Sequence, residues 1–244
     1  MTGGSTMSRR RARLATTAAG AALAVCLVLV LTLVGAPGLA ASDAGQAVLL
    51  TERGRGNPKA YAFLAKVDGD PVHWSACRKI GWRIDTDDSP KRAVPQAKEA
   101  VSRIEDATGL RFAYQGKTDV APKRFSKYPD DTQLILGWGP PKATGEAAGV
   151  GGAQWDGSTG RIVHGYVVLN YEEEFAAGFG RGPATGTQGT LGQLMMHELG
   201  HAVGLQHVKD DQQIMYPTLT RKKATWGAGD RNGLRKVGKA AGCF

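Results

Sequence analysis

The sequence predicts a mixed α/β (α+β) fold. Strand-length segments with apolar–polar alternation are interleaved with segments of helical periodicity. That order gives a mixed sheet with helices among its strands, not a bundle or a sandwich. About 200 residues follow an N-terminal apolar leader, enough for one domain with a sizeable core that a cleft divides into two lobes. The charged fraction of 22% and hydrophobic fraction of 42% exclude a mostly disordered chain. No internal repeat is visible.

Residues 42–59 are mixed and Gly-rich and are expected to form a loose lead-in. Tyr61–Ala65 and Val72–Trp74 flank Asp68-Gly69-Asp70-Pro71, a hairpin signal. Lys79–Ile84 alternates and is expected as a strand. Ala93–Thr108 is expected as a helix. Pro95 suits its first turn, Ala97, Ala100, Val101 and Ile104 fall on one face, and Gly109 ends it. Leu110–Tyr114 and Thr132–Trp138 are further strands, with a polar, basic loop at 117–127 between them. Residues 139–152, rich in Gly, Pro and Ala, are expected as a long loop. Gly152–Trp155 and Arg161–Tyr171 form a strand pair around a turn at 156–160. Phe175–Gly186 is a glycine-rich connector. Gly189–Val203 is helical by composition, and a short helix is expected at Asp230–Gly238.

Residues 9–13 read RRRAR, an apolar run follows from Leu14 to Val34, and Gly35–Gly38 and small residues Ala40 and Ala41 end it. This is the pattern of an export signal over residues 1–41, with cleavage near Ala40–Ser42. The competing expectation is an uncleaved N-terminal anchor over residues 14–34. Either way the arginines stay inside and the rest of the chain lies outside, secreted or tethered to the outer face. Removing the four leader arginines from the formal charge of +9 leaves +5, a solvated basic surface and no nucleic-acid groove. Cys26 lies in the leader behind Val25, too bulky for a lipoprotein site. Cys77 and Cys243 then remain, an even pair that outside the cell most often forms a disulfide; two free thiols are the alternative.

The segment that carries chemistry ends HELGHAVGLQH. His197 and His201, four apart on a helix, lie on one face. Glu198 is displaced by about 100° around the axis, where it can reach over a metal's open side without being a ligand. Gly204 permits a positive φ, so that the chain doubles back and His207 swings in as a third nitrogen. Three neutral imidazoles leave a tetrahedral Zn²⁺ one open position, the composition of a catalytic site. Glu198 is then the general base. With 5 His in 244 residues, HExxH alone arises by chance in about 0.003 of shuffled chains, and adding Gly204 and His207 lowers that to about one in 100,000. Of the other histidines, His73 is expected to be a surface or packing residue and His164 a core or edge residue. Glu172–Glu174 mark a solvated strand end.

Met215 stands eight residues after His207, in Ile214-Met215-Tyr216-Pro217. HExxHxxGxxH with this downstream methionine is the metzincin signature, and the chain resembles that clan of zinc endopeptidases. The spacing and the tripeptide after Ile214 look most like its matrixin branch. The order of elements from Cys77 through ATGLRF to Val163–Asn170 is similar to matrixin-like secreted bacterial proteases. The resemblance implies a zincin fold over residues 60–244. A twisted mixed sheet and two long helices would lie above the cleft, to about residue 204. A small lobe, 205–244, would hold the methionine turn and a C-terminal helix. It further implies one catalytic Zn²⁺, Met215 as a hydrophobic floor, and Gly149–Trp155 as the edge strand that an extended peptide pairs with. Tyr216–Leu219, with Tyr216, Pro217 and Leu219 foremost, would wall the main specificity pocket.

Some features depart from the family. Val208 stands where matrixins commonly carry Ser. The inhibitory propeptide cysteine motif is absent, and the stretch before the domain is too short for a folded prodomain. No acid-rich glycine loop suggests calcium, and a tyrosine fifth ligand is not expected. The expected function is a secreted zinc endopeptidase acting as a monomer on protein or peptide substrates. Two alternatives remain: an extracellular binding module retaining the fold, and a zinc amidase acting on cell-wall material.

Overall fold

A computed structural model describes residues 54–124 and 127–244. The export or anchor segment expected over residues 1–41 and most of the lead-in lie outside the described residues. Among the described residues, no helix is long and apolar enough to cross a membrane.

Strands β1 (Ala62–Phe63), β2 (Lys66–Val67), β3 (Asp70–Pro71) and β4 (Lys79–Asp85) open the domain. Helix α1 (Ala93–Thr108) and strands β5 (Arg111–Thr118) and β6 (Leu134–Gly139) follow. Then come a single-turn helix α2 (Pro141–Thr144), β7 (Gly149–Trp155), β8 (Ile162–Asn170), helix α3 (Leu191–Ala202), β9 (Leu205–Gln206) and helix α4 (Ala228–Val237). The main sheet has five strands in the order β5-β4-β6-β8-β7. Only β7 is antiparallel to its neighbour, and it lies at an edge. The mixed α/β, zincin-like arrangement expected from the sequence is therefore present.

Local sequence accounts for the central elements. All six residues of β6 are buried, as a strand covered on both faces requires. Because β4 and β5 are parallel, they need a crossover, and α1 supplies it. The stripe of Ala97, Ala100, Val101 and Ile104 is buried as expected, and Gly109 ends the helix at φ 70° with its N–H on the Glu105 carbonyl. Helix α3 packs on β7, β8 and α1. The Trp74 indole N–H donates to the Ala202 carbonyl at 3.0 Å and fixes the end of α3. Cys77 and Cys243 form a disulfide with Cα atoms 5.4 Å apart across a separation of 166 residues. Closing so long a loop stabilises the fold by about 5 kcal/mol in the chain-entropy model.

Two local expectations change. The hairpin closes tightly: Asp68 (φ 51°) and Gly69 (φ 94°) form a two-residue turn, so its arms are Lys66–Val67 and Asp70–Pro71. The segment expected as one arm instead sends Ala62–Phe63 to pair with Leu205–Gln206, the edge created where the chain leaves α3. The stretch 139–152 is not wholly a loop, since it holds α2 and the first four residues of β7. The lead-in is anchored at its end: the Arg55 carbonyl accepts from Ala228 N at 2.7 Å, and Asn57 N donates to Asp210 Oδ2 at 2.7 Å.

Candidate active site

Thr190 begins α3 by accepting the Gln193 amide on its hydroxyl at 3.2 Å. The helix runs entirely buried to Ala202, so His197, Glu198 and His201 are all removed from bulk water. Gly204 follows at φ 108°, and a Cβ there would lie 2.7 Å from the Val72 carbonyl. Only glycine turns the chain in this space. The turn does two things. It places the Leu205 carbonyl where His201 Nδ1 donates to it at 2.9 Å, and it returns His207 to the helix.

The three Nε2 atoms converge. His207 Nε2 lies 3.1 Å from His197 Nε2 and 3.1 Å from His201 Nε2. Tetrahedral coordination with bonds of 2.0–2.1 Å places neighbouring ligand atoms about 3.3 Å apart, so the spacing fits one zinc ion. His197 Nδ1 donates to the Ile214 carbonyl at 2.7 Å. With both Nδ1 atoms committed as donors, the Nε2 lone pairs of His197 and His201 are free for a metal. Burial pushes these rings down to about 3 for His197 and about 4 for His201, with neighbouring histidines adding to it. Burial also lowers the more exposed His207. All three are therefore neutral, the ligating form.

Glu198 sits beside this group at the cleft. Burial raises its carboxyl to about 8, against a hydrogen bond from the Gly151 amide that lowers it. Strand β7 runs directly over this part of α3. A Cβ on Gly149 would lie 3.0 Å from the Glu198 carboxylate, and one on Gly151 would strike the Glu198 main chain. The cleft has a volume of about 580 Å³, with Gly149–Gly151 on one side and Pro217, Thr218 and Leu219 on the other. Tyr216 is not among its lining residues. Leu194, Phe175 and Leu64 also contribute.

Met215 is 1% exposed and lies under the helix. Its sulfur occupies the space a side chain at Gly200 would need, so the glycine inside HELGH makes room for the methionine. Gly200 is not singled out by the sequence, and Gly149 and Gly151 enter it only as part of the edge strand Gly149–Trp155. Nor is Asp230 singled out, which is 1% exposed and accepts from Ile214 N at 2.6 Å, Gly227 N at 2.9 Å and Met215 N at 3.3 Å. Its signal was present, as an acid in the first turn of a helix. Gln213 completes the network. Its Oε1 accepts from Asp230 N at 2.9 Å, and its Nε2 donates to Asp210 at 2.8 Å.

The remaining histidines are structural. His73 stacks on Phe244 with centroids 4.4 Å apart. His164 meets the Tyr128 ring edge-on at 5.1 Å. Neither lines the cleft.

A family model described as matrixin, peptidase family M10, matches residues 73–237, which spans α1 to α4 and every residue of the histidine cluster. The chain belongs to the matrixin family. Matrix metalloproteinase-23 of Bos taurus is 24% identical over 238 residues, covering 91% of this chain. The chain spans 59% of that relative's length. Membership fits the three-histidine group, whose ligand atoms all lie within 4.8 Å of one another in this matrixin.

Proposed function

We propose that this matrixin is a zinc-dependent endopeptidase exported from the cell. His197, His201 and His207 hold the ion, and Glu198 is the general base. When bound, the zinc polarises the scissile carbonyl and acidifies water. Glu198 takes the proton from the attacking water and delivers it to the leaving amine. A dication held by the three histidines would offset the burial that otherwise keeps the Glu198 carboxyl protonated. The floor of the site is Met215, fixed by Asp230. The outer edge of β7, which has a partner strand on one side only, offers its main chain to an extended peptide, and Gly149 and Gly151 keep that strand close to Glu198. Pro217 and Leu219 wall the pocket for the side chain beyond the scissile bond.

The single observation that carries this reading is the convergence of three imidazoles, with His207 Nε2 3.1 Å from the Nε2 of both His197 and His201, beside a buried carboxyl facing an open cleft. The domain would comprise residues 60–244, with a lower lobe beginning after Gly204, preceded by an export signal or anchor over residues 1–41. The test is a cleavage-site profile on an unstructured peptide library with and without chelator. Chelator-sensitive cleavage within peptides is expected. A zinc-loaded protein that cleaves none of them would overturn the proposal.

A further inference from the structure

Gln193 lies one turn before His197 on α3 and is 3% exposed. A buried side-chain amide requires partners. In one orientation its Nε2 reaches only the Thr220 hydroxyl, at 3.3 Å. In the other, the amide pairs twice with the Thr220 main chain: its nitrogen donates to the carbonyl at 2.7 Å and its oxygen accepts the amide at 3.2 Å. The second orientation satisfies both ends of the amide. Thr220 directly follows the cleft wall formed by Pro217, Thr218 and Leu219. Among the described residues, the main chain of 217–220 makes no backbone–backbone hydrogen bond, and Pro217 and Thr218 are exposed. The next tie is at Arg221, whose carbonyl accepts from Gly182 N at 3.2 Å. Gly189 (φ 96°) fits between the two partners. A Cβ there would lie 2.7 Å from the Gln193 side-chain amide and 2.8 Å from the Leu219 side chain.

We propose that Gln193 is a positioning residue for substrate selection, clamping Thr220 through its main chain and so setting how far the Pro217–Leu219 wall stands from α3. This rests on the endopeptidase reading and deepens it. Leu194 and His197 form the fixed side of the pocket, on the helix itself, whereas the wall is irregular chain with no ladder to hold it. An apolar side chain at 193 would leave the Thr220 amide and carbonyl to water, and the wall would move outward. The histidines and Glu198 would keep their partners. The clamp therefore acts on which side chain fits after the scissile bond, and leaves the reacting groups alone.

The test compares the wild type with Q193M and T220A, all zinc-loaded, on a library varied at the residue after the scissile bond. For Q193M, zinc content and kcat stay within about twofold, KM for the preferred substrate rises about tenfold, and discrimination among apolar residues falls about tenfold. T220A, which keeps the main chain, retains the wild-type profile. An unchanged Q193M profile would overturn the clamp, as would a T220A profile matching that of Q193M. Should Q193M not fold, hydrogen exchange of the wild-type Thr220 amide decides. Protection about a hundredfold above Thr218 supports the clamp, and exchange at the rate of an open chain overturns it. A wild type without chelator-sensitive cleavage removes the endopeptidase reading and this proposal together; wild-type cleavage with an unaltered Q193M profile removes this proposal alone.

Discussion

Asp230 accepts the Ile214 amide at 2.6 Å, and the carbonyl of that same Ile214 accepts His197 Nδ1–H at 2.7 Å. One peptide unit on each side of Ile214 thus links a buried carboxyl on α4 to the first metal-facing ring on α3. Met215, next in the chain, is held by the same carboxyl.

Burial raises the Asp230 carboxyl from an ordinary 3.8 to about 6. The folded protein therefore binds a proton there that the unfolded chain releases between pH 4 and 6. Stability from this group is full below about pH 4 and is lost as pH rises through 6, by about 3 kcal/mol. Denaturant unfolding of the metal-free protein checks this. The wild type's margin over D230N is expected to shrink across that window, and a constant margin would refute the assignment.

Replacing Glu198 with Gln keeps the shape and the Gly151 contact but removes the base. E198Q is expected to retain zinc and its melting temperature while losing at least about a hundredfold in kcat. Turnover at the wild-type level on an unfolded protein substrate would show that the proton goes elsewhere.

His207 is the exposed member of the triad and directly follows β9, outside the helix. H207A is expected to fold normally, because its ring supports no core contact. Two imidazoles hold zinc far more weakly than three, so metal retention should fall by about two orders of magnitude or more. Zinc content after dialysis reads this directly. Unchanged content would exclude His207 as a ligand.

Gly151 and Gly157 form a matched pair for testing the approach of β7 to α3. A Cβ at Gly151 strikes the Glu198 main chain, whereas one at Gly157 meets nothing within 4 Å. G151A is expected to cost about 2–3 kcal/mol and most of the activity, since the strand or Glu198 must move. G157A should leave both within experimental error. Equal melting temperatures for the two variants would contradict the close approach.

Features fixed by neighbours in the chain were legible in the sequence. The 3.6-residue period places Ala97, Ala100, Val101 and Ile104 on one face of α1, and Gly109 ends it, whatever lies elsewhere. The same period puts His197 and His201 on one side of α3, and a glycine at 204 is the cheapest route to a third ring. Hence the fold class, the two principal helices and the histidine spacing could be read from the chain alone. The partner of Ala62–Phe63 was not legible in the sequence, because strand pairing depends on which edges the finished fold leaves open. The Asp68-Gly69 turn claimed only its immediate flanks.

Contacts across the fold were of the second kind. Gly200 shows its purpose only once Met215 lies beneath it, Gly151 only once β7 crosses Glu198, and Gln193 only once Thr220 arrives against it. Asp230 is an ordinary helix-start acid until burial brings the methionine turn onto its oxygens. The chain by itself determined which chemical groups sit at helical spacing, because that geometry is local. Packing decided what orients those groups and how wide the cleft stands, because desolvation and close approach exist only when distant segments meet.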